Sequence, residues 1–133
     1  MRQSWLSSDG SGSSHADVSS EFRLEVEPDR DAVRVCPIGE IDFSTVGEVR
    51  GQLDELRSAG FSRLILDLRR ATFLDSSGVR LALDASVTAA ADGTEFAIVP
   101  GPPAVQRTFE VAGVCDRLPF IASRGQRDGT AWS

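Results

Sequence analysis

The segment Phe73 to Leu83, FLDSSGVRLAL, sets one carboxylate, Asp75, and two hydroxyls, Ser76 and Ser77, directly before an apolar run with helical spacing. Three kinds of chemistry suit such a cluster. All three side chains are good helix N-caps, and capping the free N–H groups of a first turn is worth about 1 kcal/mol. A serine at the positive end of a helix dipole can also serve as a nucleophile, but it needs a general base. The only histidine, His15, lies in a distant polar stretch, and the segment lacks the G-x-S-x-G pattern of a hydrolase elbow. The third chemistry is phosphorylation. A phosphate adds about −1.5 to −2 charges, which first-turn amides and the helix dipole accommodate. Asp75 adds like-charge repulsion, and an apolar partner surface would have to desolvate the phosphate, so the domain survives and its complex does not.

The chain around this segment has 133 residues, 41% apolar and 26% charged. That length suits one domain whose core needs no disulfide or metal. A net charge of −6 argues against a nucleic-acid footprint, which requires clustered Lys and Arg, and fits docking on a basic patch of another protein. No apolar run approaches the roughly 20 residues of a membrane span. Cys36 and Cys115 are too few for a cysteine zinc site, and both are expected to be small buried thiols, kept reduced in a cytoplasm. No metal and no cofactor is expected. The N-terminus lacks the apolar stretch of a signal peptide, so a cytoplasmic protein is expected.

Eight of the first 20 residues are serine, too little apolar surface to offset the entropy of ordering. Residues 1–20 and 123–133 therefore read as flexible tails. Both tryptophans fall in them, whereas all seven phenylalanines lie between Phe22 and Phe120, so a folded domain is expected over residues 21–122. Within it, Phe22, Leu24 and Val26 alternate with charged residues, "PDRD" (28–31) is a turn, and Val33 and Val35 resume the alternation, which gives a hairpin. Val46, Val49, Leu53 and Leu56 mark a first helix, with Thr45 and Glu48 as a capping box, Gly60 as the stop, and Arg50, Asp54 and Arg57 facing water. "RLILDLR" (63–69) reads as a buried central strand. A second helix through Val79, Leu83 and Val87 ends before Gly93, "EFAIVP" (95–100) is another buried strand, and Val105, Phe109 and Ala112 define a last helix before Gly113. The expected order is β-β-α-β-α-β-α, closed by an edge strand near Leu118 to Ile121. That implies an α/β domain, a mixed sheet of four to five strands with helices packed against it.

Three segments, "GEIDFSTVGEVRGQLDEL", "RLILDLRRATFLDSSGVRLAL" and "EFAIVPGPPAVQRTFEVAGV", together resemble the STAS domain, in particular the stand-alone anti-sigma factor antagonists, over about residues 22–122. The resemblance implies a partner-switching protein without enzymatic activity of its own, active in stress-responsive control of transcription. Unphosphorylated, it would bind an anti-sigma factor that is also a GHKL-type serine kinase and so free the sigma factor. Phosphorylation of Ser76 from ATP would part the pair, and a PP2C-type phosphatase would restore binding. Asp75 would orient the Ser76 hydroxyl and add negative charge, Ser77 would cap the helix, and Gly78 would allow close backbone approach. Glu40 and Asp42, in the turn after the second strand, would sit near Ser76 and pair with basic residues of the kinase; the alternative is that both are solvated turn residues, with Asp42 and Ser44 capping the first helix. Arg80 replaces the small or apolar residue frequent at its position, where it could pair with a phosphate. The alternative is a STAS scaffold or sensory module with no phosphorylation cycle.

Overall fold

Alternating Leu24 and Val26 with charged neighbours builds strand β1 (Arg23–Asp29), which pairs antiparallel with β2 (Ala32–Ile41). The turn between them is tight, Asp29 facing Ala32, and Arg30 takes it with a positive φ of 65°. Helix α1 (Val46–Ser58), strand β3 (Arg63–Asp67), strand β4 (Ala71–Leu74), helix α2 (Ser76–Asp92), strand β5 (Glu95–Val99) and helix α3 (Pro103–Ala112) follow. The computed structural model describes residues 22–121. The tails expected at 1–20 and 123–133, with His15 and both tryptophans, lie outside the described residues.

The sheet runs β1-β2-β3-β5, and β4 pairs with β2 off that path. It is a mixed five-stranded sheet with three helices, as the α/β pattern implied. The path differs from the expected one at the critical place, because the chain does not pass directly from one central strand into the second helix. It leaves β3 at Asp67, turns through Leu68–Arg70, and lays β4 along the last third of β2. There Gly39, Glu40 and Ile41 face Ala71, Phe73 and Leu74 in parallel register. The upstream part of β2, Val33 to Val35, pairs with β3. Pro37 lies between these two paired stretches, where a residue with no N–H to contribute disturbs neither ladder. Near the C-terminal end, the expected edge strand shrinks to one parallel bridge, Ile98 to Phe120, after a 3-10 turn at Cys115–Arg117.

One face of the sheet carries the main core. Val33, Val35, Leu64, Leu66 and Ile98 pack with Val49, Leu53 and Leu56 of α1, Val79, Leu81 and Ala82 of α2, and Val105 and Phe109 of α3. Phe109 is fully enclosed and meets Phe120 edge to face, with ring centroids 5.2 Å apart. Two arginines of α1 do more than face water, since Arg50 pairs with Asp84 at 3.2 Å and Arg57 with Asp92 at 2.7 Å, tying α1 to α2. Gly93 and Gly113 close α2 and α3 in the left-handed conformation that their lack of a side chain permits.

The other face has a smaller cluster of Ala32, Ile65 and Val99, with Ile121 against it. Asp67, on β3, is 5% exposed. Burial alone would raise its pKa, but Arg69 outweighs that with side-chain bonds at 3.0 and 2.8 Å and a backbone N–H at 3.0 Å. Arg34 adds charge at 3.7 Å, and the carboxyl ends below its ordinary range. Cys36 is buried as expected; burial, then the Asp67 charge, pushes its thiol up to about 11, so it stays protonated at neutral pH. Cys115 is only half-buried, short of the expectation for both thiols. Among the described residues no helix is long and apolar enough to cross a membrane.

A depressed folded-state pKa means that Asp67 stabilises the fold above its unfolded value of about 4, and that this contribution is lost as pH falls through the folded pKa. Asp67→Asn should therefore unfold at lower urea than the unchanged protein at pH 7, and the two midpoints should converge as the pH drops below about 4. A gap that stays constant from pH 7 to pH 3 would show that the ion pair contributes nothing to stability.

Candidate functional site

Because β2 and β4 run parallel and end together, the loops that follow them emerge side by side at one end of the sheet. The Asp75 N–H donates to the Ile41 carbonyl at 3.2 Å, so the residue that precedes α2 is fastened directly to the strand end that precedes Asp42. The parallel register makes neighbours of two loops separated by about 30 positions in the chain.

The first loop is organised by Asp42. Its Oδ1 accepts from the Ser44 N–H at 2.9 Å, the Ser44 hydroxyl at 2.8 Å and the Thr45 N–H at 3.2 Å. The Ser44 hydroxyl does most to hold the Asp42 carboxyl below its ordinary range, so it is charged at neutral pH. Thr45 stands at the helix N-cap but makes no side-chain cap, and the expected capping box with Glu48 does not form. Its hydroxyl turns back instead and donates to the Glu40 carbonyl at 2.8 Å. An Asx turn closed by Asp42 thus replaces the capping box. Glu40 is not in the turn but inside β2, exposed and paired in register with Phe73.

The second loop is a single residue long. Asp75 is the N-cap of α2 in an extended conformation, and its Oδ1 accepts from the Ser77 N–H at 2.8 Å. Its carbonyl accepts from Gly78 and Val79 N–H groups at 3.0 and 3.3 Å. Capping therefore falls to Asp75, and Ser77 supplies the capped amide instead of being the cap. Ser76 is the first residue of the helix and is exposed, with no protein hydrogen-bond partner for its hydroxyl among the described residues. Gly78 is buried against the sheet. A Cβ there would lie 2.6 Å from Leu74 Cγ and 3.2 Å from Ile41 Cγ2, so the close approach expected of this glycine is present.

Beyond Ser76 a groove of about 400 Å³ opens between α2 and α3, lined by Val79, Arg80 and Leu83 on one side and by Thr108 and Val111 on the other. Thr108 also donates to the Leu74 carbonyl at 3.0 Å, which anchors α3 to the end of β4. Sequence reasoning missed the groove, Thr108 and two exposed aromatics, Phe43 at 82% and Phe73 at 46%. Phe43 follows the Asp42 turn and Phe73 sits in β4, so both flank the same end of the sheet. The signal that could have located Phe43 is its place between two turn-forming polar residues, Asp42 and Ser44, where no helical or strand periodicity buries it. Among the described residues no group of three or more His, Cys, Asp or Glu side chains could hold a metal ion. The surface formed here is an exposed hydroxyl with carboxylates beside it and aromatic and aliphatic groups around it.

Comparison with known proteins agrees with this architecture. The family model of the STAS domain matches residues 23–126. The anti-sigma F factor antagonist of Paenibacillus polymyxa is 30% identical over 100 residues, spanning 74% of this chain and 86% of that protein. Two solved structures share the fold. The anti-sigma factor antagonist SpoIIAA in its unphosphorylated form is 24% identical, with a TM-score of 0.64 over 82% of this chain and 96% of that one. The Bacillus cell fate determinant SpoIIAA in its phosphorylated form is 24% identical, with a TM-score of 0.57 over 76% and 89%.

The packing at Gly78 predicts that Gly78→Ala destabilises the protein by about 1–3 kcal/mol, because Leu74 and Ile41 must give way. Gly47→Ala is the control. A Cβ at Gly47 meets nothing within 4 Å in α1, and there the substitution should stabilise by about 0.4–1 kcal/mol. Chemical denaturation of both variants checks the pair.

Proposed function

This chain belongs to the STAS-domain family, and from that premise we propose that it is an anti-sigma factor antagonist governed by phosphorylation of Ser76. Unphosphorylated, it binds an anti-sigma factor of the GHKL type that is also a serine kinase, and the sigma factor is released. The kinase passes the γ-phosphoryl group of ATP to Ser76. The Oγ–H bond breaks and its proton goes to a base of the kinase, the Oγ–P bond forms, and the bridging P–O bond to ADP breaks. Hydrolysis by a PP2C-type phosphatase returns the hydroxyl. This chain supplies the acceptor and the docking surface, performs no catalysis of its own, and works in the cytoplasm.

The observation that carries this reading is the setting of Ser76: an exposed hydroxyl, free of protein partners among the described residues, on the first turn of a helix whose cap is already filled by Asp75. A hydroxyl needed for capping could not be modified without loosening the helix, whereas Ser76 carries no such duty. Support also comes from the relatives, which bear the name of anti-sigma factor antagonist, one of them with a phosphorylated form. Asp42 and Glu40 give the docking face its negative charge and Phe43 its apolar contact, a combination suited to a basic, partly apolar surface on the kinase. Ser77, half-buried with its amide engaged by Asp75, is the weaker acceptor.

Ser76→Asp should weaken the complex with the cognate kinase about tenfold or more, by charge repulsion and desolvation. Ser76→Ala should bind like the unchanged protein and no longer dissociate when ATP is added, while Ser77→Ala keeps the ATP response. Titration calorimetry with and without ATP reads all three, and equal affinity of Ser76→Asp and Ser76→Ala would sink the proposal. Assembly into large oligomers without any kinase would favour a scaffold role instead.

A further inference from the structure

Arg80 stands one turn beyond Ser76 on α2, and both residues line the groove between α2 and α3. Residues four apart on a helix share a face, with Cβ atoms about 5–6 Å from one another. Among the described residues most arginines are already committed to ion pairs. Arg34 pairs with Glu27, Arg50 with Asp84, Arg57 with Asp92, Arg63 with Glu95, Arg69 with Asp67 and Arg70 with Glu25. Arg80 has no ion pair or hydrogen bond among the described residues, and it is the only charged residue among those lining the groove.

We propose that Arg80 is a built-in receptor for a phosphate on Ser76, closing over the groove when the phosphate arrives; this rests on the reading of Ser76 as the acceptor. The planar guanidinium fork matches two phosphate oxygens, and an anion placed N-terminal to a cation at this spacing is the favourable order on a helix. The carboxylates nearby are already engaged elsewhere. Asp84, one turn beyond Arg80 on α2, pairs with Arg50 at 3.2 Å, Asp75 accepts from the Ser77 N–H, Asp42 in the neighbouring loop accepts from Ser44 and Thr45, and α3 presents only uncharged Thr108, Val111 and Ala112 to the groove. Phosphorylation then changes the surface twice: it adds charge at Ser76, and it draws the Arg80 side chain across apolar residues that a partner would otherwise reach. In this chain the switch includes a covering element as well as a charge.

The test places phosphoserine genetically at position 76 of the full chain and follows its phosphorus resonance against pH at low salt, for the unchanged protein, Arg80→Gln and Arg80→Lys. A paired guanidinium favours the dianion, so the second phosphate pKa should lie about half a unit lower in the unchanged protein than in Arg80→Gln. Arg80→Lys should recover part of the shift, and about 1 M salt should erase most of it. Equal pKa values in the unchanged protein and Arg80→Gln at low salt would overturn the proposal. Because the phosphate is installed without a kinase, that failure is separate from failure of the acceptor reading, which would appear as an unmodified Ser76 when the kinase and ATP are supplied.

Discussion

Residue 78 has no Cβ, and the position of the turn that carries Ser76 depends on that. The first turn of α2 lies so close to Leu74 and Ile41 that one added carbon would come within 2.6 Å of a buried side chain. The same two residues are register partners in the β2–β4 ladder. The approach therefore presses the helix start onto the point where the two strand ends are paired. Asp75 completes the junction in both directions: its N–H reaches back to Ile41 and its carboxylate reaches forward to the Ser77 N–H. With the backbone held at Asp75, Ser77 and Gly78, the Ser76 hydroxyl is left exposed on the first turn of α2.

The core is built from α1, α2 and α3 against one sheet face, and the buried Asp67 carboxylate, paired with half-exposed Arg69, belongs to the other. Neither includes the Ser76 hydroxyl. The carboxylate of Asp42 is held in its own turn by Ser44 and Thr45, so the acidic border of the site is also fixed in place. That fixed charge stands beside the exposed ring of Phe43.

Much of this was legible in the residues. Helix α2 was visible from its apolar spacing and from Gly93, β1 from strict alternation, and β3 and β5 from short unbroken apolar runs between turn residues. The motif Asp-Ser-Ser-Gly announced a helix start, and the resemblance to the STAS domain implied the close approach at Gly78. Strand β4 was not legible: four residues, Ala71 to Leu74, follow two arginines, and two of the four are exposed, so neither periodicity nor length marks them. Only pairing with the distant end of β2 makes them a strand. The mistaken capping box has a similar origin. Thr45 and Glu48 have the right spacing, but Asp42 reaches the Thr45 amide first and the Thr45 hydroxyl finds a carbonyl in β2. Partners brought together by tertiary structure decided both cases, and the groove along α2 and α3 exists only once those helices are packed.

A phosphate written on Ser76 and erased again would be seen by mass spectrometry of the tryptic peptide ATFLDSSGVR from protein taken from its native cells, with and without stress. The expected result is a mass gain of about 80 Da for one phosphate, assigned by fragment ions to Ser76 and not to Ser77 or Thr72, with an occupancy that falls under stress. If that peptide carries no phosphate in any condition while the protein remains in a stable complex, Ser76 is not a switch.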